Sequence, residues 1–267
     1  MTDDIRLYLF ECGVIRLPRY VVNAGDALDD SRVENPTPWY LLTHPRGNVV
    51  IDGGNAPEVA EDPVKHWGYL AERSPVIMAP EQALLPELER VGVDPASIRW
   101  VVQSHLHLDH TGGLAVIDRL PNTEVLVTRT EYDAAHNLQS WNRAAYCPAD
   151  YDKPGVPWVL LEDHEDGYDL FGDGTLTCWR TPGHTAGHLS FEVRLPSGTV
   201  FLLAIDAANT MEHLSETQTP AFTLSLADAT RSVRRLRRLA WRSQATVVPG
   251  HDPVAWPSFA LAPEYYA

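Results

Sequence analysis

Between Ser104 and Gly113 the chain reads Ser-His-Leu-His-Leu-Asp-His-Thr-Gly-Gly, directly after the apolar run Trp100-Val101-Val102. Neutral imidazole nitrogen and carboxylate oxygen are the ligand atoms that borderline cations such as zinc take. Burying three imidazoles and a carboxylate without a compensating ion is costly. The segment therefore calls for a fold that ends an apolar strand in a metal-binding loop. His105 and His107 are two apart and point to one side of an extended segment. Asp109 continues that phase, and His110 can swing toward a second position where the chain turns at Gly112-Gly113. One loop can feed two adjacent metals.

Two strand-rich halves bracket a helical middle. Residues 5–12 read as a strand, and Tyr40-Leu41-Leu42-Thr43 with Val49-Val50-Ile51 as a hairpin ending at Asp52-Gly53-Gly54. The segment 20–36 has no clear periodicity and reads as a surface loop or a dimer contact. Residues 55–80, with Pro57, Pro63, Pro75 and Pro80, read as an irregular excursion. Leu84, Leu85, Leu88 and Val91 mark one face of a short helix. Residues 99–103 form the strand that delivers the histidine motif, 124–127 another strand, 130–140 a helix and 141–157 a loop. Strands follow at 175–180, 188–195, 199–205 and 246–248. A helix runs from Asp228, an N-cap candidate, to about Trp241, with Arg231, Arg234, Arg235, Arg237 and Arg238 as a solvated face.

Further ligand-type residues stand just past predicted strands: His184 in Thr181-Pro182-Gly183-His184, Asp206 after Leu202-Leu203-Ala204-Ile205, and His251 after Thr246-Val247-Val248. An isolated histidine at a strand end is usually structural. Their joint appearance is what a two-metal site needs, with Asp206 as the natural bridging carboxylate. His44, His66, His136, His164 and His213 carry no ligand spacing and read as structural or surface residues. His66-Trp67 and the 136–151 loop, with Trp141, Tyr146 and Phe222, are candidates to line a substrate pocket.

The formal net charge of −15 argues against a nucleic-acid partner, whose phosphates demand a basic surface. Cys12, Cys147 and Cys178 are far apart and in no CxxC pattern, which reads as reduced, buried thiols. No stretch approaches a membrane span and the first residues lack a leader pattern, so a cytoplasmic location is expected.

Taken together, Asp52-Gly53-Gly54-Asn55, the 104–113 motif, Thr181-Pro-Gly-His-Thr-Ala-Gly-His188, Ile205-Asp206-Ala207-Ala208 and Gly250-His251-Asp252 resemble the metallo-β-lactamase superfamily. Within it, the chain is similar to N-acyl-homoserine and γ-butyrolactone lactonases. Gly53-Gly54-Asn55-Ala56 with His66-Trp67-Gly68 resembles the Agrobacterium-type quorum-quenching members. The resemblance implies an α+β fold, an αββα sandwich of two mixed sheets flanked by helices, over one domain spanning 1–267. It implies two divalent cations, zinc first, with manganese, iron or cobalt as alternatives. His105, His107 and His184 would hold one and Asp109, His110 and His251 the other, with Asp206 between them. Asp52 would orient ligands, and His188 would not be a ligand. Asp109, Asp206 and Asn209 are the implied catalytic residues. Asn209 departs from the family, which commonly has a tyrosine there, and an amide cannot act as a phenol acid.

The reading is a quorum-quenching lactonase with a small lactone substrate, no membrane partner and a homodimer contact to be tested. Competing hydrolases on the same scaffold are a phosphodiesterase, a thioester hydrolase of the glyoxalase II kind and a β-lactamase. A phosphodiesterase of the nuclease kind would need basic surface, and a β-lactamase usually lacks the bridging carboxylate. A non-hydrolytic reading is a di-iron redox module or a lactone-binding sensor.

Overall fold

A computed structural model describes residues 5–26, 28–163 and 167–267; His164 lies outside them. The larger sheet contains β1 Arg6–Pro18, β2 Arg32–Thr43, β3 Asn48–Ile51, β4 Val76–Ile77, β5 Ile98–Val102, β6 Glu124–Thr128 and β7 Trp158–Leu161. Its order is β4-β1-β2-β3-β5-β6-β7, antiparallel as far as β3 and parallel from β3 to β7. The second sheet contains β8 Tyr168–Asp169, β9 Leu176–Arg180, β10 Leu189–Arg194, β11 Val200–Ile205 and β12 Thr246–Pro249. It runs β12-β11-β10-β9-β8, with only the β11–β12 pair parallel.

Strand alternation sorts the core into layers. Leu7 and Leu9 of β1, Leu42 of β2 and Ile51 of β3 meet Phe191, Leu203 and Val248 of the second sheet between the two sheets. The opposite phase, Tyr8, Phe10, Leu41 and Val101, packs outward onto Leu84 and Leu88 of the Leu84–Arg90 helix. On the far side, Leu202 and Ala204 pack on Leu236 of the Leu226–Ser243 helix. The result is the αββα sandwich of two mixed sheets. Truncating a residue as fully enclosed as Phe191 would cost about 3–5 kcal/mol. Among the described residues, no helix is long and apolar enough to cross a membrane.

Several local expectations need correction. The 55–80 segment is not irregular: it forms short helices at Pro57–Glu61, Pro63–Trp67 and Tyr69–Arg73, then β4. Pro57 and Pro63 open helices at the first position, where the missing N–H has no helical partner to lose. Residues 32–36 belong to β2, although Pro36 and Pro38 lack donors; the two prolines flank the register shift opposite the Glu11/Val14 bulge of β1. The N-cap of the long helix is Ser225, whose hydroxyl accepts from the Asp228 N–H, placing Asp228 in the first turn. β7 and β8, both short edge strands, correspond to no predicted element.

Candidate metal centre

The apolar strands end on one rim of the sandwich, and the ligand-type residues follow them there. Residues 103–111 leave β5, 181–188 join β9 to β10, Asp206 follows β11 and His251 follows β12. A backbone outlier marks the delivery of Asp206: Ile205 has φ 50°, a conformation that a β-branched residue adopts only under strain. The turn at Asp52 clamps the histidine loop from below, because the Gly112 N–H donates to the Gly54 carbonyl at 2.7 Å. A Cβ on Gly112 would come within 2.4–2.7 Å of the carbonyl oxygens of Gly53, Gly54 and Asn55. Only glycine fits that approach.

The seven predicted side chains converge. His105, His107 and His184 form one group whose ligand atoms all lie within 4.8 Å of one another, Asp109, His110 and His251 form a second, and His105, His110 and Asp206 join the two. Asp206 lies centrally: Oδ1 is 3.0 Å from His251 Nε2 and 3.4 Å from His110 Nε2, and Oδ2 is 3.2 Å from His184 Nε2. Asp109 is 3.8 Å from both His110 and His251. His107 differs from the rest in turning Nδ1 inward, 2.9 Å from His184 Nε2.

The other four rings are fixed from behind through Nδ1. His110 Nδ1 donates to Asp52 Oδ2 at 2.9 Å. Ser104 Oγ donates to the same oxygen at 2.8 Å, so its lone pair accepts from His105 Nδ1 at 2.9 Å. The Phe222 carbonyl accepts from His184 at 3.1 Å and the Pro36 carbonyl from His251 at 2.7 Å. With Nδ1 protonated in each ring, the Nε2 lone pair faces inward, which is the tautomer a cation requires. His105 Nε2 and His110 Nε2 are buried with no hydrogen-bond partner. Such orphaned atoms are rare unless something else satisfies them, and the His/Asp groups fit a pair of adjacent cations.

The electrostatics agree. Burial pushes His105 and His107 well below the ordinary imidazole range, and burial also lowers His184. Burial acts to lower His110 as well, yet Asp109, Asp206 and Asp52 outweigh it and hold that ring well above its usual value. For Asp206, burial opposes charge, but His251, His184 and His110 keep it firmly ionised. The carboxylates demand positive charge at the centre of the cluster, and the inward lone pairs offer it a seat.

The chain belongs to the metallo-beta-lactamase superfamily. The family model matches residues 32–251. The chain is 46% identical to the N-acyl homoserine lactonase AttM of Agrobacterium fabrum, over 99% of each chain. It is 28% identical to the N-acyl homoserine lactonase AiiA of Bacillus thuringiensis subsp. kurstaki, over 97% of this chain and 98% of that protein. Among solved structures, an N-acyl homoserine lactone hydrolase holding its product N-hexanoyl-L-homoserine at the catalytic metal centre superposes with a TM-score of 0.86 at 26% identity, covering all of both chains.

The remaining sequence-predicted residues occupy different places. Asn209 borders a cavity beside the cluster, with its amide oxygen buried and unpaired. Trp67, Trp141 and Phe222 line that cavity, whereas Tyr146 sits behind His107, its ring edge-on at 4.7 Å. His188 accepts from the Asp206 N–H through Nε2 at 3.2 Å, so that nitrogen is turned to the backbone; burial holds the ring neutral, down to about 3. His44 pairs with Asp173 and stacks on Phe171, His136 donates to the Tyr132 carbonyl, and His213 meets Asn23. His66 is not isolated: it pairs with Asp150.

Three contributors escape sequence reasoning. Glu131 is buried and accepts from Leu106 N–H, Thr185 Oγ1 and Gly187 N–H, tying the two histidine loops together. The carbonyls of Pro36 and Phe222 left no trace to find, since every residue carries one. Glu131 had a faint signal, as the N3 acid of a helix capped by Thr128.

Proposed function

We propose that this chain is a dinuclear metal hydrolase that opens the lactone ring of N-acyl homoserine lactones, acting as one domain over residues 1–267. His105, His107 and His184 would hold one cation, Asp109, His110 and His251 the other, and Asp206 both. The nitrogen-rich donor set, with no cysteine in it, suits zinc and also admits manganese, iron or cobalt. Bound there, divalent cations would supply Lewis acidity and a water acid enough to be hydroxide near neutral pH.

The observation that carries the substrate reading is where the cluster sits. His107, Asp109, His184, Asp206 and His251 border a cavity of about 190 Å³ whose remaining wall includes Ile15, Leu17, Val22, Leu70 and Phe222. A polar reacting end beside an apolar chamber suits a small ring carrying an acyl tail. Asp109, which borders the cavity with its side chain 16% exposed, would pass a proton to the ring oxygen as the ester bond breaks. Asn209 borders the same space, and its amide would donate to the carbonyl oxygen as that atom gains charge.

All three cysteines are unpaired, which accords with a reducing, cytoplasmic setting. Sedimentation tests the expected homodimer; residues Val21 and Val22 of the segment named for it also line the cavity.

The test is acid release, followed by pH-stat, for short- and long-chain homoserine lactones, unsubstituted γ-butyrolactone and a glutathione thioester. Turnover led by the acylated lactones, abolished by chelation and restored by zinc, supports the reading. Preference for the thioester would replace it with the glyoxalase II-like alternative, and binding without acid release would leave a sensor. Asp206→Asn and His107→Ala should abolish turnover and lower metal content; full activity with unchanged stoichiometry refutes the ligand assignment.

A further inference from the structure

Away from the cluster just described, three chemically different groups meet at one point. His66 lies in the Pro63–Trp67 helix; Cys147 and Asp150 lie at the Pro148–Tyr151 helix. His66 Nε2 is 2.8 Å from Asp150 Oδ1 and 3.6 Å from Cys147 Sγ. The nitrogen, sulfur and oxygen all lie within 4.8 Å of one another. The second Asp150 oxygen accepts from Thr111 Oγ1 at 2.8 Å, fixing the carboxylate. Cys147 and Asp150 are buried, while the His66 side chain keeps 13% exposure, which leaves a route from solvent.

A nucleophilic triad does not fit, because thiol and carboxylate approach the same ring nitrogen rather than opposite ones. What the three atoms share is a position that a single cation could occupy. We propose that His66, Cys147 and Asp150 form a metal site, separate from the His/Asp cluster, for a thiophilic divalent cation such as zinc, with water completing its coordination. One thiolate, one imidazole and one carboxylate with an open position is an ordinary zinc donor set.

Charge balance permits a cation there. The pair with Asp150, then the contact with Cys147, holds His66 up at about 10, so a cation would displace the proton of that ring. A divalent ion held by neutral imidazole, thiolate and carboxylate sums to zero, so the loaded site carries no net buried charge. Once loaded, the site would pin the Trp67 helix to the segment after Ala144 and Ala145, and Trp67, Ala144 and Ala145 all line the substrate cavity.

The test uses the full zinc-loaded chain titrated with cadmium while the ultraviolet thiolate-to-cadmium charge-transfer band is recorded. The His/Asp cluster has no sulfur and is silent in this band. Cys12 and Cys178, fully buried and pushed up to about 12, resist ionisation. The expected result is one thiolate-bound cadmium per chain, no band in Cys147→Ser, and binding weakened at least about tenfold in His66→Ala, the minimum seen when even an outer partner of a metal site is lost. Three results overturn the proposal: no band in the wild type, a band that survives Cys147→Ser, or unchanged affinity in His66→Ala. The last two would leave a plain His66–Asp150 ion pair beside a bystander thiol. Far-ultraviolet dichroism confirms that each variant is folded.

Discussion

Replacing Asp52 by asparagine tests whether the rings are oriented from behind. Asp52 has φ 65°, a left-handed conformation in which asparagine is among the tolerated residues, so the backbone should not object. The hydrogen bonds do. One carboxylate oxygen accepts from the Ser104 N–H at 2.7 Å; the other accepts from Ser104 Oγ at 2.8 Å and His110 Nδ1 at 2.9 Å. An amide has one acceptor oxygen for these two positions. If its NH2 faces the Ser104 N–H, two buried donors oppose each other, at a cost of about 1–3 kcal/mol. If its NH2 faces His110, that ring must give up its Nδ1 proton and carry it on Nε2, the atom aimed at Asp206. Metal affinity should then fall about 10- to 100-fold, as for loss of other orienting partners. Chelator competition gives the affinity and urea unfolding of the metal-free protein gives the stability. A metal affinity within about threefold of wild type, where a lost orienting partner usually costs at least tenfold, would refute the orientation argument.

Three other outcomes are expected. Asn209→Ala should lower kcat by roughly 10²–10³ if the amide meets the developing oxyanion; a loss under about threefold, far below a donor's usual effect, would assign that task to the cations. Because His66 is raised to about 10 in the folded chain, above its ordinary unfolded value near 6.5, its ion pair stabilises fully below that unfolded value, and the benefit disappears as pH rises through 10. In chelator-treated samples the stability gap between wild type and Asp150→Asn should therefore narrow between pH 6 and pH 10, and a flat gap by urea unfolding contradicts the pairing. Gly187→Ala would place a Cβ 2.3 Å from the Glu131 nitrogen and from Thr128 Oγ1. That should cost about 1–3 kcal/mol as overpacking and lower metal content with it, which calorimetry and elemental analysis would show.

The sequence was most readable where strands end in ligands. His105, His107, Asp109 and His110 fall within six residues and follow the apolar end of a strand, Trp100-Val101-Val102, so both position and phase could be read directly. It was least readable where proline carried two meanings. Pro57 and Pro63 resemble breakers on paper but occupy first helical positions, and Pro36 sits in a strand because the bulge in β1 relieves the missing donor. Contacts spanning long separations were also invisible: nothing in the local pattern joins His66 to Cys147 and Asp150, 81 and 84 residues away. Glu131 was hidden for a related reason, since its partners lie in two loops on either side of it.

The carbonyl of Phe222 steadies His184 while its ring borders the cavity, and the carbonyl of Pro36 steadies His251 beside the cavity-lining Asn35. The chamber and the ion cage thus share main chain at two points. The side chain at 222 can be exchanged without removing an anchor, because the anchoring atom belongs to the peptide group, whereas Asn35 is buried and donates to the carbonyls of Ile15 and Val33, so its exchange also disturbs the β1–β2 pair. Insertions or deletions nearby are another matter: they would tilt an imidazole with every shift of the wall, making loop grafting at these points a change in metallation as well as in selectivity.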